Sequence, residues 1–366
     1  MNLLDSAIDT LRLGKFFAAL AAKEHVMPGL HVRPLVAELF LTENCNLRCV
    51  SCACWRTTTR DELDTDQWQE VLRQLARLPI RKVNFTGGEP LIRRDAVDLM
   101  RFARDVGIRH THLNTNAILL TPAKLDEVIA AGVRSFNISV DGPRDLHDQI
   151  RGRKGAFCRT VAHLRNVIAL RDRYDLKLRM GFTVMRDNVS ALPDIAALAQ
   201  TLGVRLYLNL ATDKTFLVSD AAAGAQARVP ADDLALALEK LEQVAREDPR
   251  WLPRYSDLRY VRRHFADIVQ VGLPCAESQI KLMIHSRGEI GGCWGHDSQL
   301  NVRDLSIAEA VDGAHYRAEH ARFFRKECAG CGSNYSLNLR WRPGTYVQDV
   351  LWRLGFRNLP SLKETR

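Results

Sequence analysis

The sequence predicts an α/β fold: a partial (βα)6 TIM-like barrel followed by a small cysteine-rich domain. Three observations carry that expectation. Between residues 35 and 250, six short apolar runs alternate with amphipathic helical patterns, as in βα units that pair into a parallel sheet through right-handed crossovers. Glycine-rich and polar motifs recur at the ends of those runs, on the face where such barrels place their active sites. Seven of the nine cysteines fall into two sets with ligand-like spacing, which in a chain without secretory features points to metal rather than to disulfides.

Residues 1–34 read as one amphipathic helix (Leu11, Phe16, Phe17, Leu20) expected to cover the barrel bottom, with a peripheral membrane contact as the alternative. Strands are expected at 35–41, 82–86, 110–114, 135–140, 177–184 and 205–210. After the first, Trp68, Val71, Leu72 and Leu75 recur at helical spacing behind an Asp64/Thr65 cap. After the third, a helix starts at Thr121 with Pro122 in its first position and stops at Gly132. Residues 35–250 are therefore assigned to the barrel. An acidic-capped helix over about 232–246 and a basic-aromatic segment (Tyr255, Tyr260, His264, Phe265) lead into 251–340, the expected cysteine-rich domain. The tail, 341–366, carries Trp341, Trp352 and Phe356 among arginines and receives no role.

The composition, 46% hydrophobic and 26% charged, is that of a soluble globular protein. The most apolar early run, 16–22, lies between Lys15 and Lys23, far short of the roughly 20 residues of a membrane helix. Asp5 and Asp9, with no small-residue cleavage site nearby, argue against a secretory signal. The expected location is the cytoplasm. A net charge of +9 suits anionic partners, although an arginine-rich composition raises the charge without any partner. No Lys/Arg block with interleaved aromatics marks a nucleic-acid surface.

Cys45-Asn-Leu-Arg-Cys49-Val-Ser-Cys52 follows the first strand. Soft thiolates suit iron–sulfur clusters, and three of them leave one iron of a cubane open to a small molecule. A closed zinc site wants a fourth ligand, for which Cys54 is crowded against its neighbours. Gly87-Gly88-Glu89-Pro90 follows the second strand, where two glycines let backbone approach a ligand and Pro90 fixes the turn. Asn114-Thr115-Asn116 ends the third. Ser139-Val-Asp141-Gly142-Pro143 ends the fourth, with His147-Asp148 and Arg151-Gly152 beyond it.

These motifs resemble the radical S-adenosylmethionine (SAM) superfamily, whose signature is CxxxCxxC after the first barrel strand. The resemblance implies a [4Fe–4S] cluster on Cys45, Cys49 and Cys52 that reductively cleaves SAM to methionine and a 5′-deoxyadenosyl radical. It assigns the SAM amino group to Gly87, Gly88, Glu89 and Pro90, the ribose to Asn114 and Asn116, and the carboxylate to Ser139 and Arg151. Ser51 stands beside the adenine, where the family often has an aromatic residue. Asp141 reads more simply as a turn-capping residue.

Cys275, then Gly288-Glu-Ile-Gly-Gly-Cys293 and Cys328-Ala-Gly-Cys331, supply four more thiolates, enough for a second [4Fe–4S] centre or, on geometry alone, for zinc. The pattern is similar to the auxiliary-cluster region of SPASM/Twitch radical SAM enzymes, which include anaerobic sulfatase maturases and the aminocyclitol dehydrogenase of butirosin synthesis. With no cysteine after Cys331, it matches the one-cluster Twitch version. Trp294 stands where the maturases carry a basic aspartate. His296 and Asp297 are the nearby substitutes, with loop hydrogen bonding as the plainer role.

The resemblance leaves three fates for the substrate radical: oxidation through the auxiliary cluster, hydrogen gain from a thiol, or rearrangement. Cys54 and Cys158 are the candidate hydrogen-atom donors, against the plainer role of small hydrophobes. The 34-residue N-terminal segment is short for the leader-binding module of many peptide maturases. The expected substrate is accordingly a small molecule, anionic if the net charge matters, with a ribosomal peptide or protein as the alternative. A scaffold that carries iron–sulfur or zinc without catalysis is the remote one. The implied reductant is of flavodoxin or ferredoxin type.

Overall fold

The computed structural model describes residues 3–56, 60–211, 228–266, 274–293, 299–325, 327 and 343–354. In chain order the elements are α1 (Leu3–His25), β1 (Val36–Phe40), α2 (Thr65–Arg77), β2 (Lys82–Thr86), α3 (Ala96–Asp105), β3 (His110–Thr115) and α4 (Pro122–Ala130). There follow β4 (Ser135–Ser139), α5 (Arg144–Arg151), α6 (Ala156–Tyr174), β5 (Lys177–Val184), α7 (Leu192–Leu202) and β6 (Arg205–Leu210). The remainder comprises α8 (Ala231–Glu247), α9 (Tyr255–Ala266), α10 (Glu277–Ile280), β7 (Lys281–Ile284), β8 (Glu289–Gly291), β9 (Leu300–Asn301), α11 (Ile307–Asp312), α12 (Ala314–Phe324) and α13 (Pro343–Arg353).

All six expected strands form, and each pairs in parallel with its sequence neighbour. A seventh parallel strand, not foreseen, comes from the segment assigned to the cysteine-rich region. β7 pairs with β1 on the side away from β2, and the antiparallel β8 and β9 extend the sheet to the order β6-β5-β4-β3-β2-β1-β7-β8-β9. With four residues, Lys281–Ile284, β7 is too short for its apolar pattern to stand out.

The helix signals were accurate. Asp64 caps α2 in a reciprocal capping box with Gln67. Thr121 accepts from the Lys124 amide ahead of Pro122, and Gly132 follows α4 with φ +104°. α1 buries Phe16 and Leu20 against Leu35, Ala276, Ile280 and Phe324, beneath the N-terminal ends of β1 and β7. No helix among the described residues is long and apolar enough to cross a membrane.

Side chains alternate across the sheet as its period of two requires. Val83, Phe85, Leu113, Phe136, Ile138, Met180, Phe182, Leu206 and Leu208 are buried towards the helices and form the core. Their neighbours turn the other way. Glu38, Lys82, Asn84, His112, Asn114, Asn137, Ser139, Arg179, Tyr207 and Asn209 line a cavity of about 460 Å³. A closed TIM barrel fills its interior with branched apolar side chains, whereas this one keeps a polar lumen.

Candidate active site

The cysteine loop is tied to three strand ends. Gly88 N–H donates to Thr42 O (2.7 Å) and Glu89 N–H to Asn44 O (2.9 Å), fastening the GGEP turn beneath the loop. Both glycines are required there. A Cβ on Gly87, at φ +131°, would lie 2.3 Å from Thr42 O, and one on Gly88 would lie 2.2 Å from Asn44 O. On the far side, Arg48 N–H donates to Arg151 O (3.2 Å) and Val50 N–H to Ile150 O (2.9 Å), which lays the loop along the end of α5. Gly152 closes that helix at φ +63°, its missing Cβ position 2.6 Å from Arg48 O. Asn116 Nδ2 donates to Asn46 Oδ1 at 2.7 Å.

These restraints bring Cys45, Cys49, Cys52, Ser51, Gly87, Gly88, Asn114, Asn116, Ser139 and Arg151 onto the one cavity. Glu89 and Pro90 are buried behind it. The Glu89 carboxylate accepts from Thr115 Oγ1 (2.8 Å), Asn116 N–H (2.8 Å) and Leu91 N–H (3.2 Å), so it braces the turn and the end of β3 from beneath. Burial pushes that carboxyl up to about 7 despite the bonds. Cys54 is buried off the cavity with its thiol on that of Cys52, and Cys158 is exposed on α6.

Burial pushes Cys45 up to about 12 and Cys49 up to about 11. The Cys54 hydrogen bond draws Cys52 down to about 7. By themselves two of the three are firmly protonated thiols, and metal coordination is what deprotonates a buried thiol outright. No three His, Cys, Asp or Glu side chains among the described residues converge as ligands of a single ion. With three soft donors and an unbonded, buried Arg151 Nε beside them, the residues fit a [4Fe–4S] cluster with SAM.

Sequence reasoning missed the partner of Arg151. The guanidinium pairs with Asp141, 3% exposed, and Nη1 lies 3.7 Å from Cys49 Sγ. Asp141 in turn accepts from Thr183 N–H (2.8 Å), and its own N–H donates to His147 Nδ1 (3.1 Å). The SxDG…H…R motif is thus one relay that aims Arg151 at the cysteine loop, and Asp141 does more than cap a turn. Trp55 was also overlooked: it lines the cavity and donates from Nε1 to Cys49 O at 3.2 Å.

Towards the C-terminus, Cys275 N–H donates to Phe324 O (3.0 Å) at the end of α12. One turn earlier, the His320 ring occupies the space beside Gly292 that a Cβ would need, next to Cys293. Trp294, His296, Asp297, Cys328, Cys331, Trp341 and Phe356 lie outside the described residues.

Three cysteines thus stand at the C-terminal mouth of a parallel sheet, over a polar lumen. Residues 39–199 match the Radical SAM superfamily, and the chain thus carries a radical SAM domain. It is 37% identical over 171 residues to PqqA peptide cyclase of Rhodopseudomonas palustris, covering 46% of this chain and 44% of that protein. The chain spans a little under half the length of that relative. It is 28% identical over 306 residues to AdoMet-dependent heme synthase of Oleidesulfovibrio alaskensis, covering 78% and 75%. In fold it is similar to Streptococcus suis SuiB bound to precursor peptide SuiA, with TM-score 0.62, 16% identity and coverage of 85% and 71%.

Proposed function

We propose that this chain is a radical SAM enzyme that takes a hydrogen atom from a peptide or protein substrate. Cys45, Cys49 and Cys52 would hold a [4Fe–4S] cluster, and Gly87, Gly88 and Arg151 are the residues that would bind SAM beside it. When bound, the cluster supplies the electron that cleaves SAM and so starts the radical chemistry. The carrying observation is that the three thiols, the paired glycines and Arg151 all open onto one cavity at the C-terminal strand ends. The chain's own residues orient and seclude: Asp141 holds Arg151 as the cation for the SAM carboxylate, Gly87 and Gly88 bring backbone to the ligand, and the lumen admits the substrate.

The peptide choice rests on the likeness to PqqA peptide cyclase, and it displaces the small-molecule substrate expected from the short N-terminal segment. The small-molecule reading keeps one support, the AdoMet-dependent heme synthase likeness over 75% of that relative's length. A second cluster on Cys275, Cys293, Cys328 and Cys331 is part of the proposal. Its support is that Cys275 and Cys293 flank adjacent turns of α12, which ends four residues before Cys328.

The test is anaerobic reconstitution with iron and sulfide, then dithionite and SAM. Release of 5′-deoxyadenosine is expected, with deuterium transferred into it from a labelled peptide. Intact iron loading without SAM cleavage would sink the enzyme reading, and deuterium transfer only from metabolites would restore the small-molecule one.

A further inference from the structure

At the end of the lumen opposite the cysteine loop, three cationic side chains arrive from three different strands: Lys82 on β2, Arg179 on β5 and Lys281 on β7, all lining the cavity. Their surroundings differ. Lys281 is matched by two carboxylates, lying 2.8 Å from Glu38 Oε1 and pairing also with Glu277. Asn84 Nδ2 donates to the same Glu38 oxygen at 3.1 Å, while Glu38 Oε2 is buried without a hydrogen bond and the Glu38 charge also acts on Lys82. His112, between the cations, is buried with Nδ1 on Ser135 Oγ (2.7 Å) and Nε2 on Asn114 Oδ1 (3.2 Å). Burial and the nearby positive charges keep it neutral.

The Lys82 side chain makes no hydrogen bond or ion pair among the described residues, although it faces the lumen and is only partly exposed. Burial, then the charges of Arg179 and Lys281, draw its ammonium down to about 7. Arg179 faces Lys82 across the floor, with its guanidinium 5.0 Å from the Tyr207 ring. Nearby, Asn137 Oδ1 is buried without a hydrogen bond. Lys82 and Arg179 also line a second recess, which opens at the N-terminal ends of β4 to β6 between Arg171, Lys177, Arg205 and Trp251. α1 covers the other side of the barrel bottom, under β1 and β7.

We propose that Lys82 and Arg179 form an anion subsite that holds a carboxylate of the substrate on the floor of the lumen. The Lys82 ammonium is a charge held out of bulk water without a side-chain partner among the described residues, which is costly unless an anion joins it, and one carboxylate can accept from Lys82 and Arg179 at once. At about 3.3 Å of rise per residue, β2 places the subsite roughly 13 Å along the strand from Thr86. The acid is therefore an anchor remote from the reacting carbon. This rests on reading the cavity as the substrate pocket, and the carboxylate is either an acidic peptide side chain or a small organic acid.

The test uses the cluster-loaded full chain and limiting isotope-coded acetic anhydride, with acetylation of Lys82 followed by mass spectrometry. The probes are glutarate, glutaramide, inorganic phosphate, and a matched pair of peptides carrying Glu or Gln. A probe present at about ten times its Kd slows Lys82 labelling about ten-fold. That protection is expected from glutarate or from the Glu peptide but not from their amides, and it should vanish in Arg179→Gln protein of unchanged melting temperature. Which of the two protects tells a small acid from a peptide. Equal protection by the amides, protection by phosphate alone, or none at all overturns the proposal. SAM binding and cleavage are measured separately on the same wild-type preparation, so failure of the enzyme reading is seen independently of the labelling result.

Discussion

Replacing Gly88 by alanine probes the joint between the GGEP turn and the cysteine loop. The new methyl would sit 2.2 Å from Asn44 O, 2.6 Å from Glu43 O and 2.7 Å from Asn44 C. All three are backbone atoms, so no side chain can swing aside. Reaching an ordinary contact takes a separation of about 1 Å, enough to break the bonds from Gly88 N–H to Thr42 O and from Glu89 N–H to Asn44 O. Two hydrogen bonds at about 1 kcal/mol each and a similar amount for overpacking give a loss of about 3 kcal/mol. Urea unfolding of the metal-free chain reads the stability, and equilibrium binding to the reconstituted protein reads SAM affinity, expected to fall by ~10-fold or more. Gly14, mid-helix in α1 with nothing within 4 Å of its Cβ position, is the control. There the same substitution stabilises by about 0.5–1 kcal/mol. If Gly88→Ala unfolds at the wild-type midpoint and binds SAM normally, the close approach is not what shapes the site.

Asp141→Asn keeps an acceptor for Thr183 N–H but leaves Arg151 without its counter-ion; a loss of about 3 kcal/mol and weaker SAM binding are expected, by thermal melting and titration. Two buried groups pull the pH dependence in opposite directions. His147, held down to about 4 by burial and then by Arg151, must stay neutral in the fold, so its share of stability is lost as pH falls from about 6.5 towards 4. Glu89, raised to about 7, binds its proton more tightly when folded and adds stability as pH falls from about 7 to 4.5. Relative to wild type, His147→Gln should therefore gain stability on acidification and Glu89→Gln should lose it, each by roughly 3 kcal/mol at the limit, in urea midpoints at pH 7.5 and 5. Replacing Cys275, Cys293, Cys328 and Cys331 by alanine should remove about half of the iron while sparing SAM binding; loss of all the iron would count against two separate sites.

Much of the site was legible because its chemistry is local in the chain. The spacing of Cys45, Cys49 and Cys52, the paired glycines, and the caps at Asp64 and Thr121 each act over a few residues, and the structure places them where their types require. What the sequence hid is long-range. Asp141 was read as a turn residue because nothing in the order of residues shows Arg151 folding back onto it. Glu89 was assigned to the ligand, yet it points behind the turn to Thr115 and Asn116. The polar lumen left a trace that could have been read: Asn84, Asn137, Arg179 and Asn209 interrupt strands otherwise apolar enough for full burial. Polar residues at every second position of a parallel strand mark an interior that is not packed shut.

The pairing of β1 with β7 joins residues more than 240 positions apart, at the strand that leads into the cysteine loop. During synthesis β1 emerges early and must wait, one edge open, until residues 281–284 leave the ribosome. An exposed parallel edge is an invitation to mispairing and aggregation, and so late a contact slows the closing of the barrel. If the cysteine loop takes iron as proposed, loading follows the same order: the strand behind the loop gains its β7 neighbour only after residues 281–284 have been made. Shortened chains ending before β7 should accumulate as insoluble, iron-poor protein even though every residue of the cysteine loop is present.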